Sequence, residues 1–131
     1  MGGILMKEDY VSLEVAKLLK EKGFDWPCQA FYNANGILAD SPVHTVNDEL
    51  EDSDIACPTL YVAQKWLRYE KNVIVHIDPC ASGICAIQYV FGVYKRSKSK
   101  DGVFDAESDW IKYSIYEEAL QAGILEALKL I

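Results

Sequence analysis

Three stretches of the chain carry apolar residues at helical spacing, and the runs between them alternate as strands do. Each helical stretch opens on a hydroxyl residue: Ser12-Leu13-Glu14-Val15-Ala16, Thr59-Leu60-Tyr61-Val62-Ala63 and Ser114-Ile115-Tyr116-Glu117-Glu118-Ala119. Such a residue ahead of a helical pattern predicts an N-cap, because its oxygen accepts from a backbone N–H that lacks an intrahelical partner. The first helix is expected from Leu13 to Lys22, with Val15, Ala16, Leu18 and Leu19 on one arc and Glu14, Lys17, Lys20 and Glu21 on another. Gly23 is its expected left-handed stop, and Pro27 prevents any continuation.

The second helix is expected to start at Pro58 or Thr59, burying Leu60, Ala63, Trp66 and Leu67, and to end by Asn72. The third runs from Ser114 to Ile131, with Ser114-x-x-Glu117 predicting a capping box. Its apolar arc, including Ile115, Ala119, Leu120, Ala122, Ile124, Ala127, Leu128 and Ile131, is wider than one packing contact needs. Gly123 inside it weakens the helix and so predicts a close approach to a neighbour.

Between the helices, Cys28–Tyr32 and Ile37-Leu38-Ala39 predict strands joined through Asn33-Ala34-Asn35-Gly36. Asn-Gly between apolar runs is a hairpin signal, since both residues tolerate positive φ. Val73–Asp78 and Ile84–Tyr94 predict two more strands, and another is expected within Val103–Tyr113, around Trp110 to Tyr113. On the longer strand, large Ile87, Tyr89, Phe91 and Val93 alternate with Ala86, Gln88, Val90, Gly92 and Tyr94, which predicts a sheet covered on one side. Ser41 to Asp54 reads as a solvated acidic loop, and Lys95 to Gly102 as a basic turn.

The order is therefore α-β-β-α-β-β-β-α. It predicts an α+β fold with a single domain over residues 11–131, behind a loose lead-in at 1–10, and an antiparallel or mixed sheet with helices mainly on one face. The repeated helix starts are compatible with an internal duplication, but shared helix-start grammar explains them more simply.

Composition narrows the class. Half of the 131 residues are hydrophobic and a quarter charged, a globular balance. The formal charge of −7 opposes nucleic acid and anionic membrane on average, leaving room for a local basic patch. No apolar run approaches the ~20 residues of a spanning helix, and no secretory signal pattern precedes the domain, so a cytoplasmic setting is expected. In that setting Cys28, Cys57, Cys80 and Cys85 are expected as free thiols.

Candidate chemistry is sparse. His76 and Asp78 share a strand face, where a carboxylate can orient an imidazole. A cysteine and histidine chemistry, with Cys57 or Cys28 beside His44 or His76, needs only a favourable fold. No metal-ligand spacing, phosphate loop or cofactor motif occurs, so no metal or cofactor is expected. The binding residues singled out are Lys95, Arg96, Lys98 and Lys100, which follow a strand bearing Tyr89, Phe91 and Tyr94. Basic and aromatic residues on a sheet are the ingredients of a single-strand binder.

Three segments occur together in this order: Ser12 through Phe24, Ala56 through Arg68, and Ser114 through Ile124. Together they resemble an uncharacterised family of short proteins from Bacteroidales bacteria and their phages. The resemblance covers nearly the whole chain, with the acidic loop and the Lys95–Lys100 turn as variable parts. That family has no established activity to carry over, so no functional residue follows from it. It implies a small phage- or prophage-associated accessory protein. The expectation is a non-enzymatic interaction module, self-associating or meeting a protein partner through residues 115–131. The alternatives are a nucleic-acid binder using the basic turn and a small enzyme using Cys57 or His76.

Overall fold

The computed structural model describes residues 9–45, 49–82, 86–96, 104–107 and 111–131. In chain order the elements are α1 (Leu13–Glu21), β1 (Cys28–Tyr32), β2 (Leu38–Thr45), β3 (Ile55–Cys57), α2 (Leu60–Glu70), β4 (Val73–Ser82), β5 (Ala86–Arg96), β6 (Phe104–Glu107) and α3 (Tyr116–Leu130). The fold is α+β and its sheets are antiparallel, with the short β3 added to the expected succession. The strands divide into two three-stranded sheets, ordered β2-β1-β3 and β4-β5-β6. The chain likewise divides into two compact units, Met1–Ala63 and Gln64–Ile131, the division falling inside α2.

In the first unit, Ser12 caps α1 by accepting from the Val15 amide at 3.2 Å. The other end closes as a Schellman motif: Phe24 N–H reaches the Leu19 carbonyl at 2.9 Å and Gly23 N–H the Lys20 carbonyl at 3.2 Å. Gly23 takes φ 92° to do so, and the accompanying apolar contact is supplied by buried Leu19 and Phe24. The α1 face of Val15, Ala16 and Leu19 is buried, as its spacing predicts.

The β1–β2 hairpin has a three-residue loop. Asn33 and Ile37 close it through Asn33 N–H to the Ile37 carbonyl at 3.0 Å, and Gly36 N–H returns to the Asn33 carbonyl at 2.8 Å. Only Gly36 takes positive φ here, at 74°, whereas the sequence suggested it for Asn35 as well. The reason is Asn33, whose side-chain oxygen accepts from the amides of Asn35 at 2.9 Å and Ile37 at 3.1 Å and winds the loop locally. The strand after the turn continues to Thr45, so residues 41–45, expected in the acidic loop, are β2, and His44 with them. Beyond, the Lys20 ammonium donates to the carbonyls of Asp52 at 3.3 Å and Asp54 at 3.5 Å.

Thr59 caps α2, accepting from the Val62 amide at 3.3 Å. In the second unit α2 ends at Glu70, and Asn72 at φ 55° turns the chain into β4. β4 is an edge strand ten residues long, the kind that invites further pairing. Gln64 blunts it by donating to the Val75 carbonyl at 2.7 Å, and Pro79 has no N–H to offer.

The α3 helix packs on β4 and β5 through Ala119, Leu120, Gly123, Ile124, Ala127 and Leu128, all buried. A Cβ at Gly123 would stand 2.6 Å from Val75 Cγ1 and 3.1 Å from Phe91 Cβ, so the expected close approach is real. The expected capping box is not formed. Ile115 occupies the N-cap of α3 without a side-chain hydrogen bond. The cause lies just upstream: Tyr113 exchanges both backbone bonds with Tyr89, at 2.7 and 2.8 Å, and holds the chain extended past the point where Ser114 could cap. The strand expected around Trp110 to Tyr113 falls instead at Phe104–Glu107, with Tyr113 in that isolated bridge and Trp110 outside the described residues.

The two sheets also bear on the repeated helix starts. The first strand of the first unit is central in its sheet, whereas the second strand, β5, is central in the other. Different strand orders fit shared helix-start grammar rather than a duplicated unit.

Replacing Gly123 with Ala tests the α3 contact. Helix propensity favours the change by about 1 kcal/mol, but the new methyl must displace Val75, and overpacking costs about 1–3 kcal/mol. The expected outcome in urea denaturation is a net loss of stability. A variant more stable than the native chain would show that α3 is not seated this closely.

Candidate functional sites

The basic turn is only partly within the described residues. Lys95 and Arg96 are the last two residues of β5, while Lys98 and Lys100 lie outside the described set. The Lys95 ammonium donates to the Leu130 carbonyl at 3.2 Å. It therefore satisfies a carbonyl at the C-terminal end of α3, where a cation also complements the helix dipole. Lys95 thus has a structural role that sequence alone did not signal.

His76 and Asp78 do meet. The imidazole Nε2 lies 2.9 Å from Asp78 Oδ2, and the ring stacks on Tyr94 with centroids 4.8 Å apart at 21°. Strand register explains both contacts. Residues two apart on β4 share a face, and His76 stands opposite Gly92, next to the Ile74–Tyr94 pair. A side chain at Gly92 would collide with the imidazole, so this glycine makes the room the ring occupies. The pair is accessible, with 32% of the histidine and 61% of the aspartate side chain exposed. The arrangement orients an imidazole on a sheet face; no nucleophile accompanies it in the contacts described.

The cysteines behave differently. Cys28 and Cys57 are buried in the first unit beside a cleft of about 130 Å³, whose walls include Tyr10, Ala30, Pro58 and Thr59. The Val11 carbonyl accepts from the Tyr32 hydroxyl at 2.7 Å and from the Cys57 thiol at 3.4 Å. Burial pushes the Cys57 thiol up to about 12, against a smaller lowering by its hydrogen bond with Tyr32. Burial likewise pushes Cys28 up to about 11. A nucleophilic cysteine needs the opposite, a thiolate favoured near neutral pH. Both thiols are free, as is Cys80; Cys85 lies outside the described residues.

A feature the sequence did not single out surrounds the Tyr89–Tyr113 bridge. Ile87 is 61% exposed, Ile111 60%, Ile115 45% and Tyr116 37%. Each lies within two or three residues of the bridge, and the Tyr116 ring meets the Tyr89 ring edge-on at 5.5 Å. By contrast, the broad apolar arc of α3 is largely covered, with Ala119, Leu120, Ile124, Ala127 and Leu128 buried. What remains open is the N-terminal end of the helix.

Charge is also unevenly placed. Residues 64–131 contain nine Lys or Arg and nine Asp or Glu, so the whole −7 resides in residues 1–63. Among the described residues, no helix is long and apolar enough to cross a membrane, and no group of three or more His, Cys, Asp and Glu could hold a metal ion. No protein-family model, curated protein or solved structure matches the chain.

The thiol environment predicts both reactivity and pH dependence. Cys28 and Cys57 should react with a maleimide at neutral pH only as fast as the first unit opens, while denatured protein reacts at once. Their folded values lie above the ordinary 9.0, so the protonated thiols stabilise the fold fully below about pH 9. That contribution is lost as the pH rises through about 11 to 12. Replacing both with Ser or Ala should flatten this alkaline decline, measured by denaturation at successive pH values.

Proposed function

We propose that the protein is a small non-enzymatic interaction module that associates through the apolar surface around the Tyr89–Tyr113 bridge. The observation behind this reading is the local concentration of exposed large apolar side chains, Ile87, Ile111, Ile115 and Tyr116, at one end of the second unit. Single exposed apolar residues are ordinary, whereas a contiguous group marks an interaction surface. The expectation that residues 115–131 mediate association is thereby narrowed to the start of α3. We take the partner to be a second copy of the chain, the self-association expected of residues 115–131. The resemblance to short proteins of Bacteroidales and their phages implies a phage- or prophage-associated accessory role.

The raised Cys28 and Cys57 values weigh against the reading as a cysteine-dependent enzyme. The His76–Asp78 pair lacks a described nucleophile, so it adds little weight to that reading.

Ile115→Asp separates association from folding. Aspartate is a favoured N-cap residue and Ile115 is an N-cap without a side-chain bond, so the change should stabilise α3 by about 0.5–1 kcal/mol. The same change places a charge in the apolar surface. Light scattering over a concentration series should show the native mass rising toward a dimer and the Ile115→Asp mass staying at one chain. A native protein that remains monomeric throughout would falsify the reading.

A further inference from the structure

The second helix carries a surface that the sequence did not distinguish from an ordinary solvated face. Lys65 and Arg68 flank Tyr69, which is 66% exposed, and Lys71 follows the last residue of the helix. The Lys65 ammonium and the Arg68 guanidinium each lie 5.6 Å from the centre of the Tyr69 ring. The Lys71 ammonium lies 5.4 Å from the ring of Trp66, which is buried. Contact with an aromatic ring leaves a cation its full charge and holds it in place. Among the described residues, no ion pair with a carboxylate is formed by Lys65, Arg68 or Lys71.

The sheet adds to the same end of the unit. β5 pairs Lys95 with Val73, two residues after Lys71, so the Lys95–Arg96 end of β5 runs beside the end of α2. The Lys95 ammonium is held by the Leu130 carbonyl. Between Lys65 and Lys71 the one acid is Glu70. Positive charge predominates here, in a chain whose net charge is −7.

We propose that the exposed face of α2, with Lys65 and Arg68 at Tyr69 and Lys71 just past its last residue, binds single-stranded nucleic acid. The cations take the phosphates, and Tyr69 offers a ring on which a base can stack. The helix supplies a rigid mount, so little order need be gained on binding. A single strand is favoured over a duplex because an exposed tyrosine ring is useful only against an unpaired base. This surface is separate from the apolar one around the Tyr89–Tyr113 bridge, and the two proposals stand independently.

Fluorescence anisotropy of the full chain with labelled oligo(dT) and oligo(U) tests the assignment. Binding should weaken as salt rises, with a slope set by the number of phosphates engaged. Replacing Lys65, Arg68 and Lys71 together with Ala should make that slope shallower by about 2, since each contact on a single strand contributes about 0.7. Tyr69→Ala should weaken binding about fivefold or more without altering the slope. Glu70→Lys should tighten it, a gain that loss of folding cannot imitate. Absence of salt-dependent binding at low salt overturns the proposal, as does a triple variant that binds as the native chain does. Binding of a polyglutamate peptide as strong as that of the oligonucleotides also overturns it, by showing a surface for acidic protein instead.

Discussion

The approach of α3 to the β4–β5 pair is the contact on which the second unit depends. Gly123 lets the helix backbone come within reach of Val75 and Phe91, which no larger residue would allow. Seated there, the helix buries Leu120, Ile124 and Leu128 on one side while Val73, Val75, Phe91 and Val93 become inaccessible on the other. Both ends of α3 are then tied to β5. Its Leu130 carbonyl meets Lys95, and its start follows directly from the Tyr113 bridge to Tyr89. Because the helix leaves the sheet at that bridge, Ile115 and Tyr116 remain in the open beside Ile87. The exposed apolar surface is thus a consequence of how α3 is anchored.

The first unit is organised around a polar group inside apolar surroundings. The Val11 carbonyl, just before α1, collects the Tyr32 hydroxyl of β1 and the Cys57 thiol of β3. The Val11 amide goes to the Pro58 carbonyl, so the entry to α1 and the entry to α2 are fastened together. Satisfied in this way, the buried groups hold three elements in register instead of costing stability. The same burial that makes this joint dry keeps both thiols protonated. Packing and thiol protonation have one cause here, the burial of Cys57 and Cys28.

Local signals in the sequence were read well where local physics decides. Ser12, Gly23, Thr59 and Asn72 all act at helix ends as their chemistry predicts, because a cap involves only groups a few residues apart. Ser114 fails by the same measure. Its capping signal is as good as the others, but a hydrogen-bonded bridge to a residue 24 positions earlier reserves the backbone beside it. The strand at Phe104–Glu107 falls within the expected span Val103–Tyr113 but not around Trp110 to Tyr113, for a related reason. Pairing with β5 selects which part of a polar segment becomes a strand, and no short-range pattern reports that choice. The candidate residues divide likewise. His76 and Asp78 were legible as a pair because they lie two apart on one strand, whereas the engagement of Lys95 by the end of α3 was not.

The sequence by itself determined the three helices, most of their ends, the α+β class and the close packing expected at Gly123. Helix periodicity, caps and turns depend on neighbours along the chain, so they can be read from it. Only the tertiary structure decided that the strands form two sheets, that most of the wide arc of α3 is covered, and that Val73, just after α2, pairs with Lys95 of β5. Those outcomes join residues far apart in the chain. They rest on strand register and on what each helix face meets, quantities that come into being only when the chain has folded.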